Sequence, residues 1–83
     1  MTCSYCGTAR AIHSDHIFSR ALRRRFPDFT DTVPSCAPCN WRKGTRHFVP
    51  PSWESRIPEL EELTGKKWAV FTGDPKELTE VLR

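Results

Sequence analysis

The sequence predicts a small α+β domain, and three observations lead to that prediction. First, 83 residues with 37% hydrophobic side chains are enough for one compact domain. Second, short extended segments alternate with short helical segments, and prolines and glycines separate them. Third, all four cysteines occur in two Cys-x-x-Cys pairs. A chain of this size buries only about 60% of its unfolded surface, so it usually needs a cross-link of this kind.

The first half is predicted to contain two strands and two helices. We expect residues 12–18 to form a strand, residues 19–26 an arginine-rich helical turn that ends before Pro27, and residues 32–34 a second extended segment. A further helix follows the second cysteine pair and ends at Gly44, with basic residues in its last turn.

Residues 50–83 are predicted to form an extension of helix, strand and helix that packs on residues 1–49. The prolines of Val49-Pro50-Pro51 mark the boundary, because proline disfavours helix for the residue before it. A helix ends at Gly65, and residues 68–72 form a strand. A last helix is expected from Asp74-Pro75 onward. The apolar residues of the two helices are Ile57, Leu60, Leu63, Leu78, Val81 and Leu82. The tryptophans, which are expected to pack in the core, are Trp41, Trp53 and Trp68.

Positive charge is concentrated in the first half of the chain. The net charge is +3, to which residues 1–49 contribute +5 and residues 50–83 contribute −2. This distribution suits a polyanionic ligand. No apolar run approaches the roughly 20 residues that cross a bilayer, and no apolar export signal precedes Cys3. We therefore expect a cytoplasmic protein without a membrane span.

The two cysteine pairs predict one tetrahedral zinc site. Each pair can hold the metal from a tight turn, and four thiolates close its coordination shell, which is typical of a structural site. Disulfides are rare in the cytoplasm, which favours zinc over disulfide pairing or a redox role, although both remain as alternatives. The predicted ligands are Cys3, Cys6, Cys36 and Cys39.

Candidate catalytic residues lie within and beside the loop that this site would close. Asp15 and His16 are adjacent, and Asn40 follows Cys39 directly. A carboxylate can bind a hard divalent cation while a neighbouring imidazole takes a proton from water. In isolation, Asp15-His16 is commonly a surface pair and Asn40 a helix cap. Their placement next to two cysteine knuckles favours a hydrolytic site, with His13 and His47 as weaker candidates.

The ordered set of these motifs resembles the HNH endonuclease family, which has the ββα-metal fold. The resemblance covers residues 3–44. The matching pieces are, in order, Cys3-Ser4-Tyr5-Cys6, Asp15-His16-Ile17, Cys36-Ala37-Pro38-Cys39-Asn40 and Lys43-Gly44.

The resemblance implies particular roles at the site. His16 would be the general base, and Asp15 and Asn40 would bind a catalytic Mg²⁺ or Mn²⁺. Asp31 stands where the family has an asparagine that orients the base, and its carboxylate can accept an imidazole N–H in that place. The family's proline and glycine pair after the Asp-His strand are absent here.

The resemblance also implies DNA as the substrate, which would be nicked or cut on both strands. Basic side chains near the site would contact its phosphates, unless they form only a solvated face. These residues are Arg20, Arg23, Arg24, Arg25, Arg42, Lys43 and Arg46. Two other interpretations stay open. One is a zinc module that binds nucleic acid without chemistry. The other is a partner of phage packaging proteins in a bacterial host, by analogy with small phage-encoded HNH proteins.

Overall fold

A computed structural model describes residues 1–74 and 76 of the chain. The elements are, in chain order, β1 (His13–His16), α1 (Arg20–Arg25), β2 (Thr32–Ser35), α2 (Ala37–Lys43), β3 (Phe48–Val49), a 3₁₀ helix (Pro51–Arg56), α3 (Ile57–Thr64) and β4 (Ala69–Val70). This order confirms a small α+β protein. The last predicted helix falls almost wholly outside the described residues. Within the described part, no helix has the length and apolar character needed to span a bilayer.

The first sheet consists of β1 and β2, which run antiparallel. Asp15 pairs with Val33 and His16 with Thr32 across this ladder. Side chains alternate between the two faces of a strand, and in β1 only Asp15 is buried while its neighbours are exposed. After β1, the Ser19 hydroxyl oxygen accepts a hydrogen bond from the Leu22 backbone N–H at 3.4 Å and begins α1. The predicted strand and helical turn are therefore present, and the strand is shorter than predicted.

The second sheet joins the two halves of the chain. β3 and β4 are parallel, with Phe48 opposite Ala69 and Val49 opposite Val70. The strand β3 ends just before the predicted boundary at Pro50, and β4 lies well after it. Between them, α3 ends at Gly65, which has a left-handed φ of 69°. The extension thus packs on the first half through a shared ladder and a shared core.

Aromatic rings form much of that core. Phe18 stacks on Phe29 with ring centroids 3.9 Å apart, and its ring lies 5.5 Å from that of Trp68. Phe71 stacks on Phe48 at 4.9 Å. Because Trp68 and Phe71 come from the extension, these contacts bury apolar surface of both halves together.

The prediction that all three tryptophans pack in the core is wrong for Trp41. Its side chain is 84% exposed, whereas Trp68 is 5% exposed and donates its indole N–H to the Thr64 hydroxyl at 2.9 Å. In α2 the inward face is occupied by Cys39 and Lys43, which lie four residues apart. Successive helical residues are about 100° apart, so Trp41 falls on the opposite side, facing solvent.

Candidate functional site

The four cysteines come together as a compact cluster at one end of the first sheet. Their sulfur atoms all lie within 4.8 Å of one another. Tetrahedral zinc with bonds of about 2.3 Å places its sulfur ligands about 3.8 Å apart. The Sγ atoms of Cys6 and Cys36 are 4.0 Å apart, and all four cysteines are free of disulfides. The cluster is therefore positioned to hold a metal ion, and its donor set is compatible with structural zinc.

Backbone and side-chain hydrogen-bond donors favour the ionised form of Cys6 in this cluster. The pKa of Cys6 falls to about 6, because the backbone N–H and the hydroxyl of Thr8 donate hydrogen bonds to its sulfur. This favours the thiolate, which is the metal-binding form. Burial raises the pKa of Cys39, and a bound metal ion would oppose that effect.

Gly73, which belongs to the extension, lies against the cysteine cluster. The sequence predicted only the start of a helix at the residues that follow it. Its φ is +88°, and a Cβ atom at this position would lie 2.9 Å from the sulfur of Cys39. Any side chain there would collide with a predicted metal ligand. The Gly73 carbonyl also accepts a hydrogen bond from the Arg42 guanidinium at 3.0 Å. The extension therefore forms part of the wall around the cysteine cluster.

Asp15 is held by a buried network next to this cluster. Its Oδ2 atom accepts a hydrogen bond from the Tyr5 hydroxyl at 2.5 Å and lies 3.0 Å from the Lys43 ammonium. Tyr5 lies between Cys3 and Cys6, so this hydrogen bond connects the carboxylate to the segment that carries the first cysteine pair. Burial and the neighbouring carboxylate raise the pKa of Tyr5, which remains a hydrogen-bond donor at neutral pH.

Lys43 lies inside the protein, not on the basic surface where it was predicted to contact phosphate. Its side chain is 2% exposed, and its ammonium donates to the His16 carbonyl oxygen at 3.0 Å as well as pairing with Asp15. Burial lowers the pKa of Lys43, and Asp15 opposes this shift. The sequence did contain a signal for the burial of Lys43. Lys43 lies four residues after Cys39, and residues four apart share a helix face. The role of Tyr5 had no comparable signal in the sequence.

An open cleft of about 220 Å³ brings together three of the four predicted catalytic residues. Asp15, His16 and Asn40 all line it. Asn40 lies within α2, whose N-cap is Cys36, so the interpretation of Asn40 as a helix cap is wrong. The cleft is also lined by Arg20 and Arg23. It therefore combines a carboxylate, an imidazole, an amide and two guanidinium groups, which suits a bound phosphodiester.

Two other candidates are not brought into this cleft. The Asp31 carboxylate is exposed and lies 3.9 Å from the Arg56 guanidinium, while its backbone carbonyl accepts the Ile17 N–H at 3.1 Å. It is not among the residues that line the cleft, although it was predicted to orient His16. His13 lines a different cavity, beside Met1 and Ile12.

The other arginines that were predicted to contact phosphate lie outside the cleft. Arg24 and Arg25 are exposed on α1, and neither lines the cleft. Arg42 is engaged by the Gly73 carbonyl, and Arg46 donates to the Arg42 carbonyl at 3.0 Å while lining a neighbouring cavity. Of the seven basic residues predicted to bind phosphate, Arg20 and Arg23 are the ones at the cleft itself.

No protein-family model, curated protein or solved structure matches this chain. The chemistry of the site therefore rests on its own residues.

Proposed function

We propose that this protein is a metal-dependent endonuclease of the HNH type that hydrolyses DNA phosphodiester bonds, and that structural zinc occupies the four-cysteine cluster. The observation that carries the proposal is the shared cleft of Asp15, His16 and Asn40. These are the residues to which the family resemblance assigns the chemistry, and they reach the cleft from two different elements, β1 and α2.

The fixed orientation of Asp15 supports its role as a cation ligand. Its Oδ2 atom is occupied by Tyr5 and Lys43, which hold the carboxylate in one orientation. In the proposed site Oδ1 and the side-chain oxygen of Asn40 are the ligands that this chain offers to Mg²⁺ or Mn²⁺. When bound, such an ion polarises the scissile phosphate and stabilises charge on the leaving oxygen. Since Lys43 balances part of the Asp15 charge, we expect the cation to bind weakly until substrate phosphate adds a ligand.

His16 is the proposed general base. It is exposed at the end of β1, next to the carboxylate, and its backbone carbonyl is held by Lys43. In the proposed reaction, a water oxygen forms a bond to phosphorus while the bond to the leaving sugar oxygen breaks. His16 accepts the proton that water loses, and the leaving oxygen acquires one from solvent. Arg20 and Arg23 hold the phosphate oxygens.

Replacing His16 by alanine is expected to slow DNA cleavage by about 10²- to 10⁴-fold, which is the usual contribution of a positioned general base. The measurement is plasmid nicking and linearisation with Mg²⁺, Mn²⁺ or Ni²⁺. His13→Ala is the matched control, because His13 lies on the same strand but outside the cleft. The nuclease proposal is wrong if wild type and His16→Ala give the same result with every metal. Equal loss of activity in His13→Ala and His16→Ala would overturn the assignment of His16 as the general base.

The buried ion pair favours a second candidate function, a zinc module that binds nucleic acid without cutting it. The Lys43 ammonium lies 3.0 Å from the Asp15 carboxylate and balances its charge, so a structural role of this pair requires no divalent cation. In this alternative, calorimetric titration of Mn²⁺ into the zinc-loaded protein with a bound DNA duplex gives the same result for wild type and for Asp15→Asn. Manganese binding that is present in wild type and lost in Asp15→Asn supports the nuclease.

A further inference from the structure

A second cavity, of about 560 Å³, lies beside the proposed catalytic cleft. It forms where the segment after α2 meets the beginning of β4, so its two walls come from the two halves of the chain. The residues that line it are Thr45, Arg46, His47, Lys67, Trp68 and Ala69. No chemistry was predicted for its extension side from the sequence.

The two cavities are neighbours, because Thr45 lines both of them. Two cations, Arg20 and Arg23, flank the catalytic side, and two more, Arg46 and Lys67, flank the second side. Together they form a basic track that crosses from the arginine helix α1 to the extension.

Negative charge is nearly absent from this track. The second cavity has no acidic residue among its described lining residues. In the cleft the only described acidic residue is Asp15, whose charge is opposed by Lys43 at 3.0 Å. The Glu61 carboxylate accepts the Trp68 backbone N–H at 3.0 Å but does not line the cavity. The lining residues of the track therefore present a polyanion with four cations and with one carboxylate that is already paired.

The Arg46 and Lys67 side chains of the second cavity have N–H donors available for a ligand. Arg46 uses one guanidinium nitrogen, Nη1, for the Arg42 carbonyl, and a guanidinium carries five N–H donors in total. Lys67 is exposed, and within residues 1–74 and 76 it has no carboxylate partner within ion-pair distance. Between them, the His47 ring packs on the buried Trp68 ring, with the two ring centroids 5.1 Å apart.

We propose that this second cavity is a backbone subsite for the same DNA, in which Arg46 and Lys67 each contact a phosphate that flanks the one in the cleft. The choice of DNA rests on the proposed function, whereas the subsite itself rests on the adjacency of the two cavities and on the charge of the residues that line them. Its consequence is that the extension takes part in substrate binding as well as in packing.

Salt dependence of DNA binding tests the subsite through Lys67→Gln. Binding is measured by fluorescence anisotropy with a fluorescein-labelled duplex of about 20 base pairs, in the His16→Ala background and without divalent cations, from about 50 to 200 mM salt. Loss of one phosphate contact reduces the slope of log K against log salt by about 0.9, and it weakens binding about eightfold near 0.1 M salt. Lys67 is exposed, so the fold is not at risk.

Lys66→Gln is the matched control, because Lys66 is the adjacent exposed lysine and does not line the cavity, while its charge still acts on the lining residue His47. Burial lowers the pKa of that imidazole, and the charge of Lys66 lowers it further. The control therefore reports the long-range electrostatic effect without a direct contact in the cavity. We expect it to keep the wild-type slope. Equal slopes for Lys67→Gln and Lys66→Gln would overturn the subsite, since long-range electrostatics would then account for both.

The nuclease proposal and the subsite can fail separately. If wild type does not cleave plasmid but Lys67→Gln still lowers the salt slope, the subsite stands and the nuclease proposal falls. If wild type cleaves while Lys67→Gln binds like Lys66→Gln, the nuclease proposal stands and the subsite falls. Absence of any salt-sensitive DNA binding overturns the subsite outright.

Discussion

Removing the zinc ion proposed for the four-cysteine cluster is expected to unfold this protein. Structural zinc contributes an apparent 10 to 16 kcal/mol in zinc-dependent peptides at neutral pH, whereas the net stability of a whole domain is about 5 to 15 kcal/mol. Cys3, Cys36 and Cys39 are buried among core residues, so loss of the metal ion removes the coordinate bonds that join the two cysteine pairs within the core.

The measurement is far-ultraviolet circular dichroism of the purified protein before and after a strong zinc chelator, with zinc added back as the control. Helical signal should be lost with the metal and restored with it. Cys39→Ser should behave like the metal-free protein, since it removes a buried ligand. Thr8→Ala is a matched control that removes only the hydroxyl bonded to Cys6, and it should retain zinc and fold. A chelated protein that keeps its native spectrum would contradict the structural role of the cluster.

Replacing Lys43 by alanine is expected to destabilise the protein by about 3 to 5 kcal/mol, because it leaves a buried carboxylate without its cation. The side chains of Lys43 and Asp15 are 2% and 8% exposed and lie 3.0 Å apart, so solvent screens this pair little. The lost ammonium also leaves the His16 carbonyl without its donor. The measurement is urea denaturation at a fixed concentration of free zinc.

Lys66→Ala serves as the surface control, with an expected change within about 0.5 kcal/mol. The double variant Lys43→Met with Asp15→Asn should recover much of the lost stability, because it removes both charges while the amide can still accept the Tyr5 hydroxyl. Equal destabilisation by Lys43→Ala and Lys66→Ala would show that the ion pair is not a structural element.

The buried network also explains how the cysteine cluster and the cleft depend on each other. Tyr5 belongs to the first knuckle and binds Asp15, while Lys43 belongs to the helix that follows the second knuckle and binds the same oxygen. Each cysteine pair thus lies close in sequence to one of the two residues that bind the Asp15 carboxylate. A loss of metal from the cysteine cluster would therefore also disturb the cleft.

Features set within a few residues were predictable from the sequence. Ser19 begins α1 through its own hydroxyl, and Gly65 ends α3 through its left-handed φ. The spacing of the two Cys-x-x-Cys pairs predicts the metal-binding cluster. These signals are local because they depend on a single side chain, dihedral angle or turn.

Contacts between distant segments were not predictable in the same way. The register of β1 with β2 opposes His16 to Thr32 and leaves Asp31 beside Arg56, outside the cleft. The parallel pairing of β3 with β4 joins two strands of two residues each, which are too short to have a reliable sequence pattern.

The sequence alone therefore specified the α+β class, most element positions and the four-cysteine cluster. Folding in three dimensions settled which cations are buried and which tryptophan is exposed. It also brought the extension against both the cleft and the cluster. The physical reason is the distance along the sequence over which each interaction acts. Caps, turns and alternation act over a few residues, whereas burial of Lys43 or Trp68 depends on which distant surface packs over it.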